Sequence, residues 1–184
     1  MKLADYVALT KPRLTALALL ATLVGFLMGC PGRIDVSMLA LTLVGAALVG
    51  AGANALNQWL EREADALMTR TRARPLPAGR LSPTAALVFA SATTGTGIVS
   101  LWVLVNPLAG WLGMATVVSY IALYTPLKRK TSLCTLVGAI PGALPPLIGW
   151  AGACGALGLE AWVLFAIVFL WQLPHFLAIA WVHR

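Results

Sequence analysis

Apolar residues fall into six long runs, at about positions 14–30, 37–60, 84–105, 108–126, 133–153 and 160–182, separated by short polar stretches. Each run is close to the ~20 residues that an α-helix needs to cross a hydrocarbon core about 30 Å thick. Inside lipid the backbone must satisfy its own hydrogen bonds, so the pattern predicts six transmembrane helices in an all-α, polytopic membrane helix bundle. Only Asn106 and Pro107 separate the third and fourth runs, which forces an antiparallel hairpin. Gly45, Gly50 and Gly52 in the second run allow close helix approach, and Ser91, Thr93, Thr94 and Thr96 in the third suit interhelical hydrogen bonds. The fifth run, GAIPGALPPLIGW, carries Pro141, Pro145 and Pro146. It predicts a broken helix, either a bare kink or one whose freed backbone groups line a cavity.

Composition agrees with this pattern. The 184 residues are 60% hydrophobic and 10% charged, with a mean hydropathy of +0.87, outside the soluble range. The net charge of +7 does not indicate nucleic acid, because the basic residues sit between the apolar runs. They also alternate: Lys2, Lys11 and Arg13 precede the first run, Arg62 to Arg80 follow the second, Lys128 to Lys130 the fourth and Arg184 the sixth. The opposite side has only Arg33, so the N-terminus and the even-numbered loops are expected to be cytoplasmic. A signal-peptide layout precedes the first run, but no small-residue cleavage site follows, so it reads as a retained helix. Cys30, Cys134 and Cys154 lack zinc or redox spacing and read as small apolar filler. A Cys30–Cys154 disulfide across one membrane face is the less favoured reading.

The polar residues of both signs collect in one stretch, NQWLEREADALMTRTRARPLP, residues 57–77. Asn57, Glu61 and Asp65 are four apart, so a helix continuing past the bilayer edge places them on one face, offset by about 40° per step. Arg70, Arg72 and Arg74 follow, and Pro75 and Pro77 are expected to break the helix and turn the arginines back. Two carboxylates beside three guanidinium groups make sense around a Mg2+-bound diphosphate. Mg2+ is held by one or two carboxylates plus phosphate oxygens, and arginine forks match the remaining oxygens. Topology alone explains flanking arginines, but it gives no reason for the regularly spaced Asn57, Glu61 and Asp65.

Other candidates lie at the same predicted face or inside the bundle. Lys11 flanks a proline suited to a helix start and is either an interfacial anchor or a diphosphate ligand. YTPLKRKT brings Tyr124, Lys128 and Arg129 to the end of the fourth run as a second phosphate clamp. Gln172 and His175 in the sixth run are polar groups within apolar surroundings and therefore functional candidates. Glu160 suits a helix N-terminus and is assigned no chemistry.

Taken together, LTKPR at 9–13, residues 57–77, YTPLKRKTSLCTLVGAIPGALPPLIGW at 124–150 and WQLPHF at 171–176 resemble the UbiA superfamily of intramembrane prenyltransferases. Within it they are most similar to the protoheme IX farnesyltransferase (haem O synthase) family. The resemblance spans the whole chain in order. It departs at Glu61, which occupies the middle position of an Asn-x3-Asp-x3-Asp motif; a carboxylate is retained with one more methylene.

The resemblance implies Mg2+ held by Glu61 and Asp65 with Asn57 supporting. It implies catalytic roles for Asn57, Glu61, Asp65 and Arg70, and substrate contacts from Lys11, Arg72, Arg74, Tyr124, Lys128, Arg129, Gln172 and His175. The substrates it implies are farnesyl diphosphate and haem B: ionisation leaves an allylic cation, a haem vinyl group attacks it, and water completes a hydroxyethylfarnesyl haem. It further implies a bacterial inner-membrane location and a downstream haem A synthase or oxidase assembly partner. Family members resemble nine-helix bundles with a second acidic motif after helix six, so one domain over 1–184, incomplete at its C-terminus and with little activity alone, is expected. The alternatives are a UbiA-type enzyme acting on an aromatic quinone precursor, or a transporter with broken helices.

Overall fold

The computed structural model describes residues 3–128, 130–131 and 133–182. Among these, six helical stretches are long and apolar enough to cross a membrane: Pro12–Gly29, Val36–Leu67, Pro83–Val105, Pro107–Leu127, Cys134–Cys154 and Leu159–Ala178. A short helix α1 (Leu3–Thr10) precedes them. Helix α2 (Pro12–Gly29) starts on Pro12, and α3 (Val36–Leu67) starts where the Asp35 carboxylate accepts from the Met38 amide at 3.0 Å. Helix α4 (Pro83–Ser100) is capped by Ser82, and α5 (Pro107–Val118) by Asn106, whose side chain accepts from the Ala109 amide at 2.9 Å. These short polar caps satisfy amides that the first helical turn leaves unpaired.

The α4–α5 hairpin is wound more loosely than an ordinary helix. Helix α4 runs into a π-helical segment, Leu101–Val105, and α5 into another, Ser119–Tyr124, before the short turn α6 (Thr125–Leu127). The Asn106 side chain also donates to the Ala151 carbonyl at 2.7 Å, tying the hairpin tip to the fifth span. That span is broken, as its prolines predict: α7 (Cys134–Ala143) stops at Leu144 and α8 (Pro145–Cys154) begins on Pro145. Helix α9 (Leu159–Val182) completes the described bundle.

Small residues set the helix spacing. A Cβ added at Gly25 would overlap the Pro146 carbonyl, and one at Gly149 would overlap the Thr22 carbonyl, so α2 and α8 cross backbone against backbone. Gly52 meets Thr94, and Gly97 meets Val49, in the same way between α3 and α4. The main apolar core, including Val49, Leu101, Leu112, Leu147 and Ile148, lies among these crossings. A second cluster of Leu9, Ala55, Leu76, Leu81, Ala86 and Ala90 packs α1 and the loop after α3 against α3 and α4.

Two features depart from the sequence pattern. Helix α3 ends at Leu67, eight residues before Pro75, so the prolines do not end it. The Thr71 hydroxyl instead donates to the Asp65 carbonyl at 2.8 Å, and Arg72 and Thr71 amides return to the Met68 carbonyl. These bonds satisfy helix-end carbonyls that would otherwise be orphaned. Helix α1 was not apparent as an element, because its contacts are to residues far away in the chain. The three cysteines are free.

Candidate active site

Helix α3 carries Asn57, Glu61 and Asp65 on one buried face, each no more than 5% exposed although the three are polar. Their partners come from separate elements. Asn57 donates to Glu61 Oε2 at 3.1 Å and to Thr125 Oγ1 at 3.3 Å. Lys128 Nζ lies 2.6 Å from Glu61 Oε1, and Arg74 Nη1 lies 2.6 Å from Asp65 Oδ2. Lys11 Nζ donates to Asn57 Oδ1 at 3.3 Å. The junction before α2, the loop after α3 and the end of α6 therefore converge on the stripe. Their three cations, Lys11, Arg74 and Lys128, outnumber the two carboxylates, Glu61 and Asp65, leaving one unbalanced positive charge.

Lys11 occupies a strained position. It has φ 47° and ψ 65°, the one non-glycine with positive φ among the described residues, and it precedes Pro12. A left-handed conformation costs a residue with a Cβ about 1–2 kcal/mol. Burial draws its ammonium down from 10.5 to about 8; Arg74 and Lys128 add to the shift, while Glu61 and Asp65 oppose it.

Next to the stripe lies a cavity of about 390 Å3, lined by α2, α3, the α5–α6 stretch, α7, α8 and α9. Asn54, one helical turn before Asn57 and Gln58, lines it, as do Tyr120 and Tyr124. Tyr120 and Tyr124 stack with ring centroids 5.8 Å apart, and Tyr124 packs on Gly138. The remaining lining is mainly aliphatic, with Thr22, Thr116 and Gln172 as polar exceptions. Gln172 donates to the Ala139 carbonyl at 3.2 Å and rests against Gly142, so it bridges α9 to the broken helix. The arrangement is a cation-rich polar cluster beside a mainly apolar chamber.

The candidates divide by position. Asn57, Glu61, Asp65, Arg74, Lys128 and Lys11 are brought together; Tyr124 and Gln172 line the cavity. Arg70 and Arg72 are exposed on the loop between Asp65 and Arg74. His175 is exposed and stacked on Trp171, with ring centroids 5.0 Å apart, away from the cavity lining. Arg129 lies outside the described residues. Sequence reasoning missed Thr125, Tyr120, Asn54 and Gln58. The four-residue spacing of Tyr120 and Tyr124 and the polar pairs within NALNQ were the available signals.

Residues 18–184 match the UbiA prenyltransferase family. The chain belongs to that family. Among relatives with UbiA character, the protoheme IX farnesyltransferase of Solibacter usitatus is 50% identical over 189 residues, which cover 98% of this chain and 65% of that protein. The protoheme IX farnesyltransferase of Opitutus terrae is 44% identical over 183 residues, covering 100% of this chain and 62% of that protein. The chain thus spans less than two thirds of the length of these relatives. A solved UbiA homologue from Archaeoglobus fulgidus, bound to DMAPP and Mg2+, superposes with a TM-score of 0.76 at 20% identity, covering 93% of this chain and 62% of that one. That likeness establishes the UbiA fold, and the six membrane-length helices together with the family match make this a multi-pass membrane protein.

The donor set suits Mg2+. Glu61, Asp65 and the Asn57 amide offer only hard oxygen ligands on one face. No cluster of three His, Cys, Asp or Glu occurs among the described residues, so a fully protein-made cage is not formed. Two carboxylates are the number with which Mg2+ sites completed by phosphate oxygens are commonly built. The residues fit a metal that arrives with a diphosphate.

Proposed function

We propose that this chain carries the prenyl-diphosphate half of a protoheme IX farnesyltransferase, a membrane enzyme that converts haem B to haem O with farnesyl diphosphate. The observation that supports this most directly is the buried Asn57, Glu61 and Asp65 stripe, ringed by Lys11, Arg74 and Lys128, beside the apolar cavity. Glu61 and Asp65, with Asn57, would hold Mg2+. Bound there, Mg2+ would neutralise diphosphate oxygens and stabilise the leaving group. Arg74, Lys128 and Lys11 donate to the remaining phosphate oxygens as charge builds on them, while Arg70 and Arg72 add positive charge at the mouth. The prenyl tail lies in the cavity between Tyr124 and Gln172, and the scarcity of polar lining keeps water from the allylic cation until the haem vinyl group attacks it. His175, by this reading, acts at the acceptor side rather than on the prenyl tail.

The polar mouth opens to the cytoplasm of a bacterial inner membrane, and the product passes to a downstream haem A synthase or oxidase assembly step. Residues 1–184 act as part of one UbiA domain. The test is farnesyl transfer by the complete protein in proteoliposomes, with haem B, farnesyl diphosphate and Mg2+. Formation of haem O supports the proposal; prenylation of a phenolic acid with haem B untouched would redirect it to a quinone pathway.

A further inference from the structure

Helix α1 has no part in the chemistry above, yet it is fastened at both ends. Near its start, Asp5 Oδ1 accepts from Arg80 Nε at 2.8 Å, which ties it to the loop leading into α4. In the middle, Tyr6 packs edge-on against Phe89 with centroids 5.0 Å apart, and Leu9 is fully buried with Leu76 and Leu81. At its end, the Leu9 and Thr10 carbonyls, which the helix terminus leaves unpaired, are taken by side chains, and the Ala8 carbonyl accepts from the Lys11 amide at 3.4 Å as well as from a side chain. Gln58 Nε2 donates to the Leu9 carbonyl at 2.8 Å and to that of Ala8 at 3.4 Å. The Thr10 carbonyl accepts from Asn54 Nδ2 at 3.4 Å and from Thr15 Oγ1 at 2.8 Å.

The next residue is Lys11, in its left-handed conformation, with its ammonium on Asn57. A conformation this unfavourable persists only where the surroundings over-determine it. Here the surroundings are Gln58 and Asn54, which stand on the same helix as Asn57 and Glu61. The helix that presents the acidic stripe therefore also grips the segment that delivers the ammonium, which fixes Lys11 relative to Asn57.

Resting on the diphosphate site proposed above, we infer that α1 is a strap and that Gln58 is a positioning residue that holds Lys11 over the diphosphate. Gln58 touches neither substrate nor metal. Its effect on ligand binding passes through Lys11, and the Asp5–Arg80 pair fixes the other end of the strap.

The experiment uses the complete protein in detergent and measures the Kd of an unreactive farnesyl thiolodiphosphate with Mg2+ present. Gln58→Leu, which keeps the volume but removes both donors, is expected to weaken binding roughly tenfold, as is Lys11→Met. The double variant should bind no more weakly than either single one, because both remove the same contact. Fully additive losses would show that Gln58 acts independently of Lys11, and the inference would fail. The pair of buried Asp5 and half-exposed Arg80 gives a second test: Asp5→Arg and Arg80→Asp each weaken binding severalfold, and the swap of both restores it. A swap as weak as the worse single variant overturns the strap. Wild type that binds no thiolodiphosphate sinks the proposed site as well, whereas wild type that binds alongside an equally tight Gln58→Leu sinks the strap alone.

Discussion

Lys128 Nζ rests 2.6 Å from Glu61 Oε1, which joins the end of the fourth membrane span to the polar face of the second. Only 4% of Glu61 is exposed, so its charge is held away from water by a partner 67 residues further along the chain. Asp65 has the same relationship with Arg74. A buried carboxylate paired in this way is costly to assemble and costly to break from one side. A site that retains two of them beside a surplus cation is suited to exchanging its partners for a metal and an anion of higher charge.

On the proposed function, removing either carboxylate should therefore disable the complete protein. Glu61→Ala and Asp65→Ala are expected to lower haem O formation by about a hundredfold or more, as loss of a principal electrostatic group at an active site does. Glu61→Asp should be the mildest, since it shortens the reach by one methylene and keeps the charge. Pigment extraction across a Mg2+ titration measures this. Near-normal turnover of both alanine variants at low Mg2+ would remove these residues from the metal site.

The arginines of the loop after α3 are not equivalent. Arg74 is half-buried on Asp65, whereas Arg70 and Arg72 are exposed. Lysine at position 74 keeps the charge but loses the planar fork, and a turnover loss of about tenfold is expected. The same change at 70 or 72 should cost less, because an exposed lysine can move to follow the phosphate. Equal losses at all three positions would mean that Arg70 and Arg72 bind the diphosphate as Arg74 does.

The ends of the membrane spans were legible because they coincide with local chemistry: Pro12, Pro83 and Pro107 open helices, and the apolar runs predict most boundaries to within about two residues. The stripe was legible too, since a four-residue spacing reports a helix face directly. What could not be read depends on contacts distant in sequence. Gln58 reaches Leu9 across 49 positions and Arg80 reaches Asp5 across 75, so neither α1 nor the setting of Lys11 has a local signal. The end of α3 was misread for a related reason. Pro75 is a strong breaker, but the Thr71 hydroxyl at Asp65 and the turn at Met68 end the helix first. The divergence of Arg74 from Arg70 and Arg72 is likewise a property of the folded loop, invisible in an alternation of identical residues.

The basic residues predict an orientation that can be tested in cells. A reporter active only outside the cytoplasm, fused near Pro31, Asn106 or Gly155, should be active, and fusions near Arg74 or Lys130 should be silent. Activity at Arg74 would turn the site to the opposite face and with it the source of diphosphate.

Packing around the cavity gives the last test. Gly149 lies against the Thr22 carbonyl, where a methyl group would overlap backbone that cannot rotate away, and Thr22 and Ile148 both line the cavity. Gly149→Ala must push α2 and α8 apart, and over-packing of this kind costs about 1–3 kcal/mol. Gly95, on the exposed side of α4, has nothing within 4 Å of an added Cβ. Gly95→Ala should leave stability unchanged or raise it by about 0.5–1 kcal/mol, because alanine loses less backbone freedom in a helix. Thermal unfolding in detergent separates the two: Tm falls by several degrees for Gly149→Ala and does not fall for Gly95→Ala. Farnesyl thiolodiphosphate binding should fall with Gly149→Ala even well below its Tm, since the chamber wall itself has moved. An unchanged Tm with unchanged binding would show that α2 and α8 do not cross as closely as their glycines suggest.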